Sequence, residues 1–350
     1  MTRKPDVIIV GAGINGLSAT LELVRQGLSV RVIDPCGPEN PAGASWGNHR
    51  LIHPFSDRPD RPTADDAITA LHAWKEVLEH IGCDGFAPVG VLSQCPGPLA
   101  RRAAGITHVE TQPAEAIVER YPIWRGLRGE VTLAVDFGVL MASEILTSLR
   151  SHLEATGQVS FVTETASHLA PDQPVVLTDQ NRHEARLCVV IAAGAGTGRL
   201  LAASGQDLEP LAGHFRRFEC HVLHADHPEL SLTSDQAAFY SMAGQDLWGM
   251  QPVRGQRLKL GFGKLSKEQD PNARTGADTI AKAMMRAYTS QWPGFGQCHD
   301  VEVESSHWTS ISLPFPLLRK GPHVIVTADN GGGFKFAPLT GKSVARTVLR

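Results

Sequence analysis

Asp6-Val-Ile-Ile-Val10, Gly11-Ala-Gly13-Ile14-Asn15-Gly16, Leu17 to Gln26, Gly27, Ser29 to Ile33 and Asp34 form one continuous unit near the start of the chain. The first run is apolar and rich in β-branched residues, as a buried strand requires. Leu17 to Gln26 carries Leu17, Ala19, Leu21, Leu23 and Val24 as an apolar helical face, Gly27 stops the helix, and Ser29 to Ile33 is a second strand closing on an acid. Each residue of the G-x-G-x-x-G turn has a physical task. Gly11 permits the tight turn, Gly13 lets a pyrophosphate approach the backbone, and Gly16 lets helix and strand pack. The helix N-terminus, with Ile14 and Asn15 in its first turn, offers unpaired N–H groups and partial positive charge to phosphates. Asp34, 23 positions after Gly11, is placed to accept from a ribose hydroxyl. The unit predicts a dinucleotide site.

With 350 residues, two domains sharing one ligand are expected. A net charge of −3 gives no signal for nucleic acid or a membrane surface. No apolar run approaches the roughly 20 residues that span a bilayer, and nothing before the first strand resembles a signal peptide. The six cysteines (Cys36, Cys83, Cys95, Cys188, Cys220, Cys298) contain no C-x-x-C pair, against a zinc site or disulfide framework. A cytoplasmic protein, monomeric or a small oligomer, is expected.

Further along, Cys36 to Ala44 reads as a loop, and Ser45-Trp-Gly-Asn48-His49-Arg50-Leu-Ile-His53 as a polar stretch opening a short helix or extended segment. A helix capped by Thr63 runs towards His80, carrying Leu71, Trp74, Val77 and Leu78. Gly90 to Cys95 is predicted as a strand, Gln112 to Arg120 as a short helix, Leu133 to Leu140 as extended, and 142–155 as a helix; Val159 to Val162 and Leu187 to Ala192 are strands. From about Leu211 the pattern turns antiparallel, around His221 to Leu223, Ala237 to Tyr240, Asp246 to Gly249 and Arg257 to Phe262, with a helix at Thr279 to Ser290. The end repeats the opening pattern, with a strand from His323 to Thr327, a glycine loop from Ala328 to Phe336 and a helix from Pro338 to Leu349. The expected fold is α/β: a discontinuous Rossmann-like nucleotide domain (1–84, 139–212, 320–350) with an antiparallel-sheet α+β substrate domain (85–138, 213–319).

Three more stretches suit a dinucleotide. Val189-Val-Ile-Ala-Ala193-Gly194-Ala-Gly196 is a strand entering a small-residue turn, Ser45 to His53 follows the ribose acid, and Gly331-Gly332-Gly333-Phe334-Lys335-Phe336 precedes a helix N-terminus. Together with the opening unit they make the chain resemble the glycine and D-amino-acid oxidase superfamily of flavoproteins, most closely its monomeric sarcosine oxidase branch, over essentially its whole length. Gly11, Gly13, Gly16 and Asp34 match the FAD fingerprint, Ser45 to Arg50 the S-x-G-x-x-R stretch beside the flavin, Val189 to Gly196 the A-x-G motif, and Gly331 to Phe336 the G-x-G-F-K-F motif. Asn48, His49, Val162, Ala193 and Gly194 join the expected FAD contacts. The resemblance implies hydride transfer from the carbon bearing an amine to flavin N5, an imine that hydrolyses, and electrons passed to O2 to give hydrogen peroxide.

The resemblance also assigns roles and marks departures. Lys259 matches the lysine that promotes oxygen reduction, and Lys335 the lysine that holds the substrate carboxylate. Sarcosine oxidase holds FAD through a cysteine whose position is Trp308 here, in Ser306-His307-Trp308, with Cys298 the nearest cysteine in sequence. FAD bound without a covalent link is expected, His49 or His307 being the alternatives for a histidyl bond. A second carboxylate-binding arginine becomes His53, and the branch's active-site tyrosine and histidine fall at Trp248 and Gly263. The substrate expected is a bulkier, cyclic or aromatic amino or imino acid rather than sarcosine. Alternatives are an FAD amine dehydrogenase with another electron acceptor and a non-catalytic flavin-binding subunit or sensor. His221, His224 and His227 lack the glutamate of an H-E-x-x-H zinc site, and no metal is expected.

Overall fold

The computed structural model describes residues 4–55, 64–94, 97–205, 208–230, 236–242, 245–268, 276–311, 317–326 and 332–350. Thr63, Cys95, and Thr327 to Gly331 lie outside them. The opening unit forms as read: strand Val7–Val10, helix Ile14–Arg25 and strand Val30–Ile33. Val7–Val10 is buried on both faces: Val7 and Ile9 pack with Ala19, Leu23, Val344 and Val348, and Ile8 and Val10 with Leu169, Val176, Leu200 and Leu201 on the other side, as four consecutive apolar residues in a parallel sheet require. Its sheet has six strands, in the order Leu317–Lys320, His323–Val326, Cys188–Ile191, Val7–Val10, Val30–Ile33, Val159–Val162, parallel except at the first pair. Val7 pairs with both Cys188 and Val30. The C-terminal strand thereby joins the N-terminal ones across more than three hundred residues of chain.

Two helices cover this sheet in direct contact. Ala337–Val348 lies along Ile14–Arg25, and the approach is so close that a Cβ on Gly341 would strike the Ser18 backbone. Ala64–Ile81 adds Trp74, whose ring stacks on Phe334 and whose Nε1 donates to the Lys335 carbonyl at 2.9 Å. That bond fixes the backbone just before the terminal helix.

The second large sheet is antiparallel but for one contact, Ala238 and Phe239 running parallel to Val91 and Leu92. Its spine is Phe215–Asp226, which pairs with Leu258–Phe262 on one side and with His299–Ile311 on the other. One face rests on an apolar cluster in which Trp124 meets Phe239, Trp292 and Phe295 edge-on, closed by Ile280, Met284 and Tyr288 of helix Ala277–Thr289. The Tyr288 hydroxyl lies 2.8 Å from the carbonyl oxygens of Trp248 and Gly261, tying this core to the strands that carry the site.

Several elements differ from the sequence reading. Gln112 and Pro113 belong to strand Val109–Pro113, and the helix starts at Ala114 after Pro113 as its extended N-cap (φ −67°, ψ 149°); a proline at 113 disfavours helical backbone in Gln112 before it. Leu133 to Leu140 is two strands, Glu130–Ala134 and Gly138–Met141, broken where a Cβ on Gly138 would strike the Ala87 backbone. Of the two readings of Ser45 to His53 the extended one holds, as His49–Ile52 paired with Gly138–Met141. The three-stranded meander Ala166–Leu169, Val175–Thr178, Arg182–Glu184 and the strand His299–Ile311 have no counterpart in the sequence reading. The latter alternates polar and apolar residues weakly, since both of its faces carry polar groups with partners.

Candidate active site

Between the two sheets lies a cavity of about 920 Å³, near the upper end of ordinary ligand pockets. Its walls bring together Gly11, Gly13, Ile14, Asn15, Asp34, Ser45, His49, Arg50, His53, Ala193, Gly194, Trp248, Lys259, Trp308, Gly332, Gly333, Phe334 and Lys335. Three expected residues lie behind the wall. Gly16 serves packing, because a Cβ there would collide with the Gly11 carbonyl. Val162 accepts from the Asp34 backbone at 3.1 Å, and Asn48 turns away to His224, its Nδ2 3.4 Å from Nδ1. Gly331 is outside the described residues.

At one end the wall is backbone. Gly11 has φ +108°, where a side chain would be strained and would meet the Ala192 carbonyl. A Cβ on Gly13 would lie 3.0 Å from Ser45 Oγ, and that hydroxyl caps the Ile14 N–H at 3.0 Å. The Asp34 carboxylate accepts from Ala12, Cys36 and Gly37 N–H at 2.8–2.9 Å, so it holds the glycine turn and the following loop in place while lining the cavity. Asn15 Oδ1, at the helix N-terminus, is buried with no partner among the described residues.

The middle of the cavity is charged. Arg50 threads into the loop before it, donating to the carbonyls of Ala44, Trp46 and His49. Beside it Lys259, only 3 % exposed, rises from the strand Leu258–Phe262. Burial, then the Arg50 charge, push its ammonium down to about 7, against a partial offset from Glu304. Glu304 stands opposite on His299–Ile311, its Oε2 2.7 Å from His224 Nε2. That hydrogen bond, with the nearby cations, holds its carboxyl down at about 2. His49 is fully buried, and neither ring nitrogen makes a well-formed hydrogen bond among the described residues. Burial and the charges of Lys259 and Arg50 drive its pKa well below the usual imidazole value, so it is neutral.

At the far end the Lys335 ammonium donates to His53 Nε2 at 3.0 Å. His53 is neutral, because burial and Lys335 both oppose its protonation. Its ring stacks on Tyr240 with centroids 3.8 Å apart, and Trp248 and Met250 extend the aromatic wall. The Trp248 ring needs Gly261, where any Cβ would overlap it. The space in front of Gly263 is filled by the Asp246 carboxylate.

Sequence reading missed Glu304, Tyr240, Asp246 and Cys220, which share no motif and reach the cavity only through strand register. Cys220, far from Trp308 along the chain, lines the cavity opposite Ser306; its thiol is 3.1 Å from Ser306 Oγ and burial raises its pKa. Trp308 sits two residues along, stacked on Phe218 at 4.7 Å. His221 and His224 of the long strand, and His227 just past its end, have protein partners: Ser305, Glu304 and the Gly294 carbonyl respectively.

The residues fit a flavin dinucleotide on the structure's own terms. A glycine cradle with a helix N-terminus faces the cavity, and two buried polar side chains, Asn15 and His49, have unmet hydrogen-bonding groups at its wall. Comparison with known proteins agrees. The chain is 24% identical to the monomeric sarcosine oxidase of Bacillus sp. (strain NS-129), over 99% of this chain and 93% of that one. It is 26% identical to the N-methyl-L-tryptophan oxidase of Salmonella arizonae, over 99% and 95%. The crystal structure of glycine oxidase from Geobacillus kaustophilus superposes with a TM-score of 0.79 at 19% identity, covering 100% of this chain and 95% of that one. The sequence profile of the FAD dependent oxidoreductase (DAO) family matches residues 6–347, and the chain belongs to that family.

Proposed function

We propose that this protein is an FAD-dependent amine oxidase acting on the C–N bond of an amino or imino acid, with O2 as acceptor and hydrogen peroxide as product. The observation that carries the reading is a buried lysine, Lys259, and a lysine–imidazole pair, Lys335 with His53, on the wall of one cavity whose other end is the glycine cradle. Bound FAD supplies a two-electron acceptor for hydride from the carbon bearing the amine. Gly11, Gly13, Ile14, Asn15 and Asp34 hold its ADP half in this reading, and Ser45, His49, Arg50, Ala193, Gly194, Gly332, Gly333 and Phe334 the remainder. Domains spanning 1–84, 139–212 and 320–350 for FAD, and 85–138 and 213–319 for substrate, divide this work.

Lys335 donates to the substrate carboxylate, with His53 as a single neutral partner in place of a bidentate guanidinium. Tyr240, Trp248, Trp46 and Met250 favour a bulky, cyclic or aromatic substrate over sarcosine. The cations around the cavity disfavour the substrate ammonium, so the neutral amine gives up hydride without a dedicated base. Lys259 faces oxygen: as an ammonium it stabilises the charge developing on O2. Because it loses its proton near pH 7, the oxygen step slows as pH rises through that value. FAD sits without a covalent link, since Trp308 takes the linking position and the nearby Cys220 thiol is held protonated. Flavin retained on acid-precipitated protein would overturn that point.

The partial charge of Lys259 near neutrality favours one second reading, a dehydrogenase that hands electrons to another acceptor. Anaerobic mixing with a panel of amino and imino acids, followed by admission of air, tests both. Bleaching of the flavin absorbance with fast recovery and peroxide supports the oxidase. Bleaching with sluggish recovery supports the dehydrogenase, and no bleaching across the panel refutes the amino-acid assignment.

A further inference from the structure

We propose that Glu304 is the internal counter-ion of the Lys259–Arg50 pair and the positioning residue that aims Lys259 into the cavity, itself braced by a relay through His224 to Asn48. Three strands meet here. His224 pairs in register with Lys259 on one side and with Glu302 on the other, and Val222, one rank along the same face, pairs with Gly261 and Glu304. Lys259 and Glu304 therefore flank one strand, and both reach the cavity. Glu304 Oε2 is fixed by His224 Nε2 at 2.7 Å, and the other edge of that imidazole lies 3.4 Å from Asn48 Nδ2.

The second carboxylate oxygen faces the loop that Arg50 grips. Gly47, at φ +102°, leaves open a point that lies 3.5 Å from Glu304 Oε1 and 3.7 Å from Arg50 Nη2. Carboxylate and guanidinium thus border the same gap in the wall. A lysine buried to this degree beside an arginine needs an anion to hold both position and charge. Of the titratable groups around Lys259, Arg50 and His49 come from the strand His49–Ile52 and its approach, Cys220 and His224 from the long strand, and Glu304 from His299–Ile311. Arg50 opposes the lysine's charge, His49 and His224 bring no anion, and the Cys220 thiol is held protonated by burial. Among the described residues Glu304 is left as the carboxylate that acts on Lys259, the other carboxylate of the cavity wall, Asp246, lying against Gly263.

The proposal rests on the oxygen-facing reading of Lys259 only for its catalytic consequence, so its test does not depend on turnover. In flavin-bound protein labelled with ¹⁵N-lysine, the Lys259 Nζ resonance, assigned by its loss in Lys259→Met, is titrated against pH. Glu304→Gln is expected to lower the midpoint by one unit or more, and Glu304→Asp to restore part of it. His224→Asn, which keeps the carboxylate and removes its brace, is expected to move the midpoint in the same direction by less. Glu302→Gln, an exposed neighbour paired with Arg257, is expected to leave it unmoved. The pH at which reoxidation by O2 slows is expected to shift with the resonance. An unchanged midpoint in folded Glu304→Gln, or an equal shift in Glu302→Gln, overturns the proposal.

Discussion

The two ends of the cavity are built by different means. At the end proposed for the nucleotide the wall is backbone: glycines at Gly11 and Gly13 with Gly16 packed behind them, a helix N-terminus, and an aspartate whose oxygens are taken up by N–H groups of the turn itself. At the end proposed for catalysis the wall is made of buried side chains drawn from distant strands, with Lys259, Arg50, Glu304 and His224 close in charge and His49 left without well-formed partners among the described residues. At the first end most polar groups, Asn15 Oδ1 apart, have partners within the turn and its neighbouring loop. The second is held by electrostatic balance, so its chemistry depends on pH and on single side chains.

The largest effect is expected at the backbone end. Gly16→Ala places a methyl group against the Gly11 carbonyl, with no flexible atom to yield. Overpacking of this kind costs about 1–3 kcal/mol or more, and it displaces the turn proposed to receive the pyrophosphate. The purified variant is expected to lack flavin absorbance and to melt earlier. Full flavin content with an unchanged Tm would mean that the turn is not the cradle.

At the catalytic end the expected losses are specific rather than global. Lys335→Met removes the donor beside His53 while its backbone carbonyl remains anchored to Trp74. A hydrogen bond to a charged group is worth about 1.5–3 kcal/mol, so KM for a carboxylate-bearing amine is expected to rise about 10- to 100-fold with flavin content retained. A change in flavin content with KM untouched would move Lys335 to the nucleotide side of the comparison.

A smaller effect separates the two ends by acid. His49 and His53 have folded pKa values depressed below the unfolded imidazole value of about 6.5. Below that pH the unfolded chain binds more protons than the folded one, so stability is full above about 6.5 and lost as pH falls. The decline in Tm between pH 7 and 5 is expected to be shallower in His49→Gln. An identical decline would show that the buried imidazoles do not set the acid limit.

The same contrast explains what is legible in the chain. The opening unit, the helix Ala142–Ala155 and the strand Val159–Val162 declare themselves through local spacing, and the structure keeps them where the pattern puts them. Gly11, Gly13, Gly16 and Asp34 are legible for the same reason, since a tight turn constrains its residues within a few positions. Glu304 carries no such mark. It lies on a strand whose polar residues on both faces hide the alternation, and it reaches Lys259 only through a register with Phe215–Asp226 that no short window contains. Counting along the chain puts Cys220 far from Trp308, whereas two paired strands set it opposite Ser306. Pro113 misleads in the other direction: the helix read from Gln112 starts at Ala114, since a proline disfavours helical backbone in the residue before it.

The most direct test compares the two half-reactions in wild-type protein and Lys259→Met, measured separately by stopped flow. With an amine found by the panel, anaerobic bleaching of the flavin is expected to proceed within a few-fold of the wild-type rate. Reoxidation after mixing with O2 is expected to slow by about 10²–10³-fold, the scale of a lost charge-stabilising donor. Equal reoxidation in the two proteins, or a loss confined to the bleaching step, would contradict the assignment of this charged wall to oxygen.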